Sequence, residues 1–163
     1  MALISSFDLI EAFDPIRKDF TRTAYAGLCL DLTDAMTATG DPHPEIFDLL
    51  LGSLRGMAEG GDPRSVARFF EANILRMAGI LPETESLSLS PGSRASLQQI
   101  FQTSADRLIR FRLGREVEEE LRGVFQGLFR EVLDRELRSR SFLAAVGLEG
   151  IPEVVHTASV HGR

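Results

Sequence analysis

The sequence predicts an all-α protein, a helical bundle of five to six helices. Three observations carry that reading. Pro15, Pro44, Pro63 and Pro91 each follow a residue suited to helix entry (Asp14, His43, Asp62 and Ser90), and apolar residues then recur at helical spacing. The runs between these starts close on short breakers such as "ATGDPHP" and "EGGDP". Finally, "GREVEEELRGVFQGLFREVLDREL" repeats Val117, Leu121, Val124, Phe125, Leu128 and Val132 along one face.

The first helix starts at Asp14-Pro15, with Asp as cap and Pro in the first turn. It carries Ile16, Phe20, Tyr25, Leu28, Leu32 and Met36 near one face. His43-Pro44 opens the second, with Ile46, Leu49, Leu50, Leu54 and Met57 inward. Asp62-Pro63 caps the third, which buries Val66, Phe69, Phe70, Ile74 and Met77 and closes at Gly79. "ILPETESLSL" connects it to a shorter helix that begins at Ser90-Pro91 and runs to about Phe101. A turn or two around 105–111 precedes the long helix. After Phe142 the periodicity is lost. Residues 1–143 are therefore expected to form the helical domain, with 1–10 as the end of a preceding domain, and 144–163 to form a loose C-terminal tail. Residues 2–10 are the one strand candidate.

Composition bounds the function. The 163 residues are 44% hydrophobic and 26% charged, a globular composition with length for one sizeable core. Eleven Phe, one Tyr and no Trp point to aromatics used for packing rather than for base stacking. The net charge is −6, and the nine Arg against seven acidic residues between Arg107 and Arg140 make only a mild excess. Binding of nucleic acid by the chain alone is expected to be weak. Cys29, the single cysteine, lies in an apolar helical pattern and reads as a buried small hydrophobe. The N-terminus has no basic segment ahead of its apolar residues, and no apolar run approaches a membrane span, so the expected compartment is the cytoplasm.

Little in the sequence suggests covalent chemistry. Glu118, Glu119 and Glu120 point about 100° apart on a helix, do not converge on one ion, and read as a solvated face. His156 and His161 read as an incidental pair in the tail, and His43 as a cap or an exposed residue. There is no phosphate-binding Gly loop and no nucleophile elbow. Neither an enzyme, a metal nor a cofactor is expected. Two Arg sites stand out instead. Arg68 precedes Phe69-Phe70 beside an apolar surface, and Arg138 and Arg140 follow the long helix, where cations offset its C-terminal dipole. The simpler alternatives are an Arg that lays its stem along the core and a charged helix end.

The order of these signals resembles the RecO family of bacterial recombinational-repair proteins. "LIEAFDPIRKDF…AYAGLCLDLTDAMTATGDPHPEIFDLLLGSLRGMAEGGDP" resembles that family's opening helices, and "RFFEANILRMAGILPE" its next helix. "LSPGS" is similar to its Leu-Ser-Pro helix start, and "RELRSRSFL" to its closing segment. The resemblance covers about residues 7–143. It implies a RecO C-terminal-domain-like fold and an adaptor in DNA repair and recombination. The partners implied are single-strand-binding protein, through its acidic C-terminal tail, and RecR, and the outcome is recombinase loading on single-stranded DNA. By the same resemblance Arg68 would pair with the tail's carboxylates, and Phe69 and Phe70 would offer apolar surface; failing that, the site is expected near Arg138 and Arg140. The family begins with a basic OB-fold, which does not precede residue 7 here. Many members carry a four-Cys zinc module after the third helix, where "ILPETESLSLSP" has no Cys, so zinc is not expected. The rival classes are a ligand-binding or dimerising helical domain of a regulator, which an enclosed apolar cavity would favour, and a purely structural support.

Overall fold

The computed structural model describes residues 8–37, 42–133 and 135–149. Among these the regular elements are helical: α1 (Asp14–Arg17), α2 (Phe20–Met36), α3 (Pro44–Ala58), α4 (Pro63–Met77), α5 (Pro91–Gln102), α6 (Arg115–Val132) and α7 (Arg138–Ala145), with 3₁₀ turns at Thr84–Ser86 and Ala105–Arg110. The all-α reading holds, and helices begin on or next to Pro15, Pro44, Pro63 and Pro91 as expected. Asp62 and Ser90 cap as their chemistry requires, accepting from the backbone N–H of Ser65 and Ser93. His43 makes no side-chain cap; its ring contacts Glu45 instead.

The first expected helix is two. Asp14 lies inside α1 rather than capping it, behind Phe13 in the left-handed region at φ 50°. The chain then breaks at Lys18-Asp19, where the Asp19 carboxylate caps the N–H of Arg22 at 2.9 Å and starts α2 afresh. The new start rotates Phe20 outward, to 60% exposure. Met77 and Val132, expected inward, are the last residues of α4 and α6 and are also exposed.

α4 is the axis of the bundle. It packs against α2, α3, α5 and α6, and every residue from Ser65 to Leu75 is buried. A helix enclosed on all sides must satisfy each of its polar side chains inside the protein. Ser65 Oγ donates to Asp62 and accepts from the Leu113 N–H at 2.9 Å, tying α4 to the segment before α6. Asn73 donates to the Phe69 carbonyl at 2.9 Å. Arg68 and Glu71 are met by other elements, as described below.

Close approach fixes the rest. Gly52 and Gly56 lie one turn apart on α3 and receive Ala105 and Leu108 of the second 3₁₀ turn; a Cβ on Gly56 would stand 2.7 Å from that of Leu108. Arg94 organises the connector before α5 by donating to the carbonyls of Thr84, Leu87 and Leu89. Residues 2–7 of the strand candidate lie outside the described residues, and 8–10 form no strand. Residues 144–149 are not loose: α7 runs to Ala145, and Leu148 and Glu149 pack onto the core. Residues 150–163 of the expected tail, with His156 and His161, lie outside the described residues.

Two glycines separate packing from propensity. Gly56→Ala is expected to cost about 1–3 kcal/mol through overpacking against Leu108. Gly127→Ala, on an exposed stretch of α6 with open space at its Cβ, should stabilise by about 0.5–1 kcal/mol. Urea denaturation of both variants checks the pair.

Candidate partner-binding site

The five residues singled out from the sequence fall into three environments. Phe69 and Phe70 are core residues at 5% and 0% exposure and offer no surface. Arg68 is wholly buried. Arg138 is exposed, and Arg140 lies between, its side chain 12% accessible. The structure brings Arg68 and Arg140 together and leaves Arg138 outside.

Arg68 lies at the middle of α4 with carboxylates from three directions. Glu71, one turn along the same helix, stands 2.8 Å from its Nε; Glu149 of the C-terminal segment accepts from Nη2 at 2.7 Å; Glu118 of α6 lies 3.6 Å from Nη1. Arg140 joins from α7, bonding the second oxygen of Glu71 and lying 3.7 Å from Glu149. Its guanidinium also sits over the Phe129 ring, 5.7 Å from the centroid. The Arg68 fork is thus filled by the chain's own carboxylates and is not presented to solvent. The site reading of Arg68 is corrected accordingly: an Arg on a helix enclosed on every side has no free face.

Burial and charge shift this cluster's groups in opposite senses. Burial works against the Arg68 cation, yet the surrounding carboxylates of Glu71, Glu149 and Glu118 raise its pKa above the ordinary arginine value. The Glu118 carboxyl is raised, first by burial, with Arg68 and Arg122 pulling the other way. Burial, then the nearby Glu149, pushes the Tyr25 phenol up; its hydroxyl donates to the Leu148 carbonyl at 3.2 Å. Burial likewise holds Cys29 as a thiol.

The three consecutive glutamates diverge as helical geometry requires, but they do not form one solvated face. Glu118 points into the cluster, Glu119 pairs with Arg115 at 2.9 Å at the surface, and Glu120 accepts from the Ser90 N–H and hydroxyl at the start of α5. Among the described residues no His/Cys/Asp/Glu group is arranged to hold a metal ion.

Arg138 and Arg140 do not end the long helix. They open α7, where cations face the positive end of the helix dipole. Asp31 of α2 compensates by accepting from the Ser139 N–H at 3.1 Å and hydroxyl at 2.8 Å, a cap supplied from a neighbouring helix. Partial burial pushes the Asp31 carboxyl up, but these bonds and Arg135 carry it below the usual carboxylate range. Arg135 also reaches Asp34 at 3.0 Å. On the outer face of the α2–α7 seam Phe20 and Phe142 meet at 5.8 Å between ring centroids, 60% and 45% exposed, and Val146, four residues after Phe142, is 38% exposed. Arg138 lies one turn before Phe142 on the same face of α7 and has no ion-pair partner among the described residues.

Sequence reasoning missed Phe20, Phe142, Glu71 and Glu149. Glu71 had a signal, since Arg68 and Glu71 are three apart on one helix. Glu149 had none, because nothing in a run without periodicity says where it docks.

Residues 17–86 match the family model for the recombination protein O C terminal. Over that stretch the chain is similar to the RecO family. It is 32% identical over 85 residues to the DNA repair protein RecO of Halalkalibacterium halodurans and 35% over 92 residues to that of Pelotomaculum thermopropionicum. These matches take in 52% and 56% of this chain but 34% and 36% of the relatives, so the chain spans about a third of their length. With RecO of Moorella thermoacetica it shares 25% identity over 186 aligned positions, 93% of this chain and 69% of the relative. No solved structure matches the chain. The match runs from the last residue of α1 through the first 3₁₀ turn, and so includes α4 with Arg68 and Glu71.

The cluster predicts distinct mutant behaviour. Arg68→Ala would leave three buried carboxylates facing one guanidinium and is expected to cost about 3–5 kcal/mol. Glu118 is different, because its proton affinity is higher folded than unfolded. Its contribution is fully present below the unfolded carboxylate value and is lost as pH rises through the folded one. The stability difference between wild type and Glu118→Gln should therefore shift against wild type as pH rises from 4 towards 7. Urea titrations of both proteins across that range give the sign directly.

Proposed function

We propose that the chain acts as a RecO-type adaptor in DNA repair and recombination. It would bind single-strand-binding protein through that protein's acidic C-terminal tail, together with RecR-like partners, and so promote recombinase loading on single-stranded DNA in the cytoplasm. The role is non-enzymatic: its work is recognition. The similarity to RecO proteins supports the repair context, and one observation supports the peptide mode. The Phe20–Phe142 pair stands exposed beside Arg138 in the α2–α7 seam, with Arg140 at the inner edge of α7. An extended acidic peptide with an apolar end has use for both parts. Its terminal aromatic ring would lie against Phe20 and Phe142, and its carboxylates would meet Arg138. The surrounding chain is acidic, so such a peptide is directed to this basic corner rather than spread over the surface.

A small-molecule regulator domain would need an enclosed apolar cavity. The cleft described between α5 and the second 3₁₀ turn, about 380 Å³, is open and is lined by Gln99, Gln102, Thr103, Arg107, Arg110 and Phe111. That lining suits no apolar ligand. Among the described residues no helix is long and apolar enough to cross a membrane.

Isothermal calorimetry with the tail peptide of single-strand-binding protein tests the reading. Micromolar-scale binding, about −8 kcal/mol, is expected. Arg138→Ala and Phe142→Ala should each weaken it by about 1–2 kcal/mol with the circular dichroism spectrum unchanged. Absence of binding to wild type, or equal binding to both variants, would refute the proposed face. The isolated chain should also bind single-stranded DNA only weakly at physiological salt, which an anisotropy titration checks.

A further inference from the structure

We propose that Arg68 and Arg140 form a carboxylate-receiving site that the chain's own Glu149 fills, and that an acidic peptide docked on the Phe20–Phe142 face exchanges with it. This rests on the peptide reading given above and adds its regulation: the segment after α7 is a plug in cis.

Four features of the cluster lead there. Glu71 and Glu118 are fixed by α4 and α6, whereas Glu149 is carried by the non-helical residues that follow Gly147. Gly147, at φ 72°, turns the chain back, and the N–H groups of Leu148 and Glu149 both donate to the Leu143 carbonyl. Beyond those bonds, the segment is held by Tyr25 on the Leu148 carbonyl, by the packing of Leu148, and by the Glu149 ion pairs. This is a small attachment compared with that of a packed helix.

Charge count makes the departure tolerable. The cluster holds two guanidiniums and three carboxylates, so losing Glu149 leaves Arg68 and Arg140 balanced by Glu71 and Glu118. Neither Arg is stranded, which removes the usual large cost of unpairing a buried charge. The plug's second contact is loose. Arg140 Nη1 and Glu149 Oε2 stand 3.7 Å apart, an ionic contact beyond hydrogen-bond distance. A peptide carboxylate free to choose its geometry could pair with Arg140 in the bidentate way that Glu149 does not.

The route runs around α7. Arg140 is at the mouth of the cluster, its side chain 12% accessible, and leaves the helix on the face opposite Phe142, two residues on. A peptide whose aromatic end rests on Phe142 would therefore pass its carboxylates around α7 to meet Arg140.

The test uses the full chain and a fluorescein-labelled peptide of six Asp residues with a terminal Phe. Anisotropy titrations compare wild type, Glu149→Gln and Phe142→Ala, with circular dichroism on each. Glu149→Gln, which removes the charge of the plug alone, is expected to bind the peptide at least tenfold more tightly than wild type. Hydrogen exchange on the unaltered protein is the second readout: peptide binding should speed exchange of the Leu148 and Glu149 amides. Equal affinity for wild type and Glu149→Gln, weaker binding by the variant, or unchanged exchange at Leu148 and Glu149 would overturn the exchange. If wild type binds and Phe142→Ala weakens binding while Glu149→Gln changes nothing, the plug fails and the docking face stands. If no form binds, both fail together.

Discussion

A guanidinium at the centre of the bundle has to be neutralised on the spot, and the architecture around it follows from that need. α4 is enclosed by α2, α3, α5 and α6, so Arg68 cannot extend to water. A lone charge there would be prohibitive. The chain answers with one carboxylate from α4 itself, one from α6 and one from the segment after α7, elements far apart in sequence that the same cation draws together. Their net effect on stability is not large in the way hydrophobic burial is. An ion pair at this depth roughly trades desolvation against attraction, and its main product is a defined arrangement of the elements that carry the charges.

The placement of α7 shows that consequence most clearly. Its first turn carries Arg138 and Arg140, which its own dipole disfavours. Asp31 supplies the missing cap and Glu71 takes Arg140, while the Phe129 ring lies under the same guanidinium. Once α7 is held in this way, Phe142 comes beside Phe20 at the surface and Arg138 projects outward. An interior charge requirement thus sets an exterior face that carries two aromatic rings and a cation. The similarity to RecO proteins and that face both enter the adaptor reading proposed above.

Much of the fold was legible because it rests on local chemistry. Asp62-Pro63 and Ser90-Pro91 specify helix starts whatever lies around them, and the apolar spacing of α3 and α6 needs no partner to be seen. The break at Asp19 was hidden because a capping side chain inside an apolar pattern looks like a polar position on one continuous helix. Periodicity reports which residues share a face, not how many faces are covered; for that reason α4 read as one-sided and Arg68 as a surface residue. Glu118 was misread for the same cause, its two neighbours Glu119 and Glu120 lying at or near the surface as expected. Glu149 depends on a contact spanning the chain from Arg68, with no local pattern to announce it. The five candidate residues divide between interior and surface in a way that helical spacing alone does not show.

A double-mutant cycle between Arg68 and Glu149 bears most directly on the claim that the buried guanidinium organises the C-terminal segment. Stabilities of wild type, Arg68→Met, Glu149→Gln and the double variant would be measured by urea denaturation at pH 7. The account predicts a coupling of about 1–3 kcal/mol, with the double variant more stable than the sum of the single losses implies. Additivity within about 0.5 kcal/mol would mean that Glu149 stands beside Arg68 without being held by it, and would contradict the account.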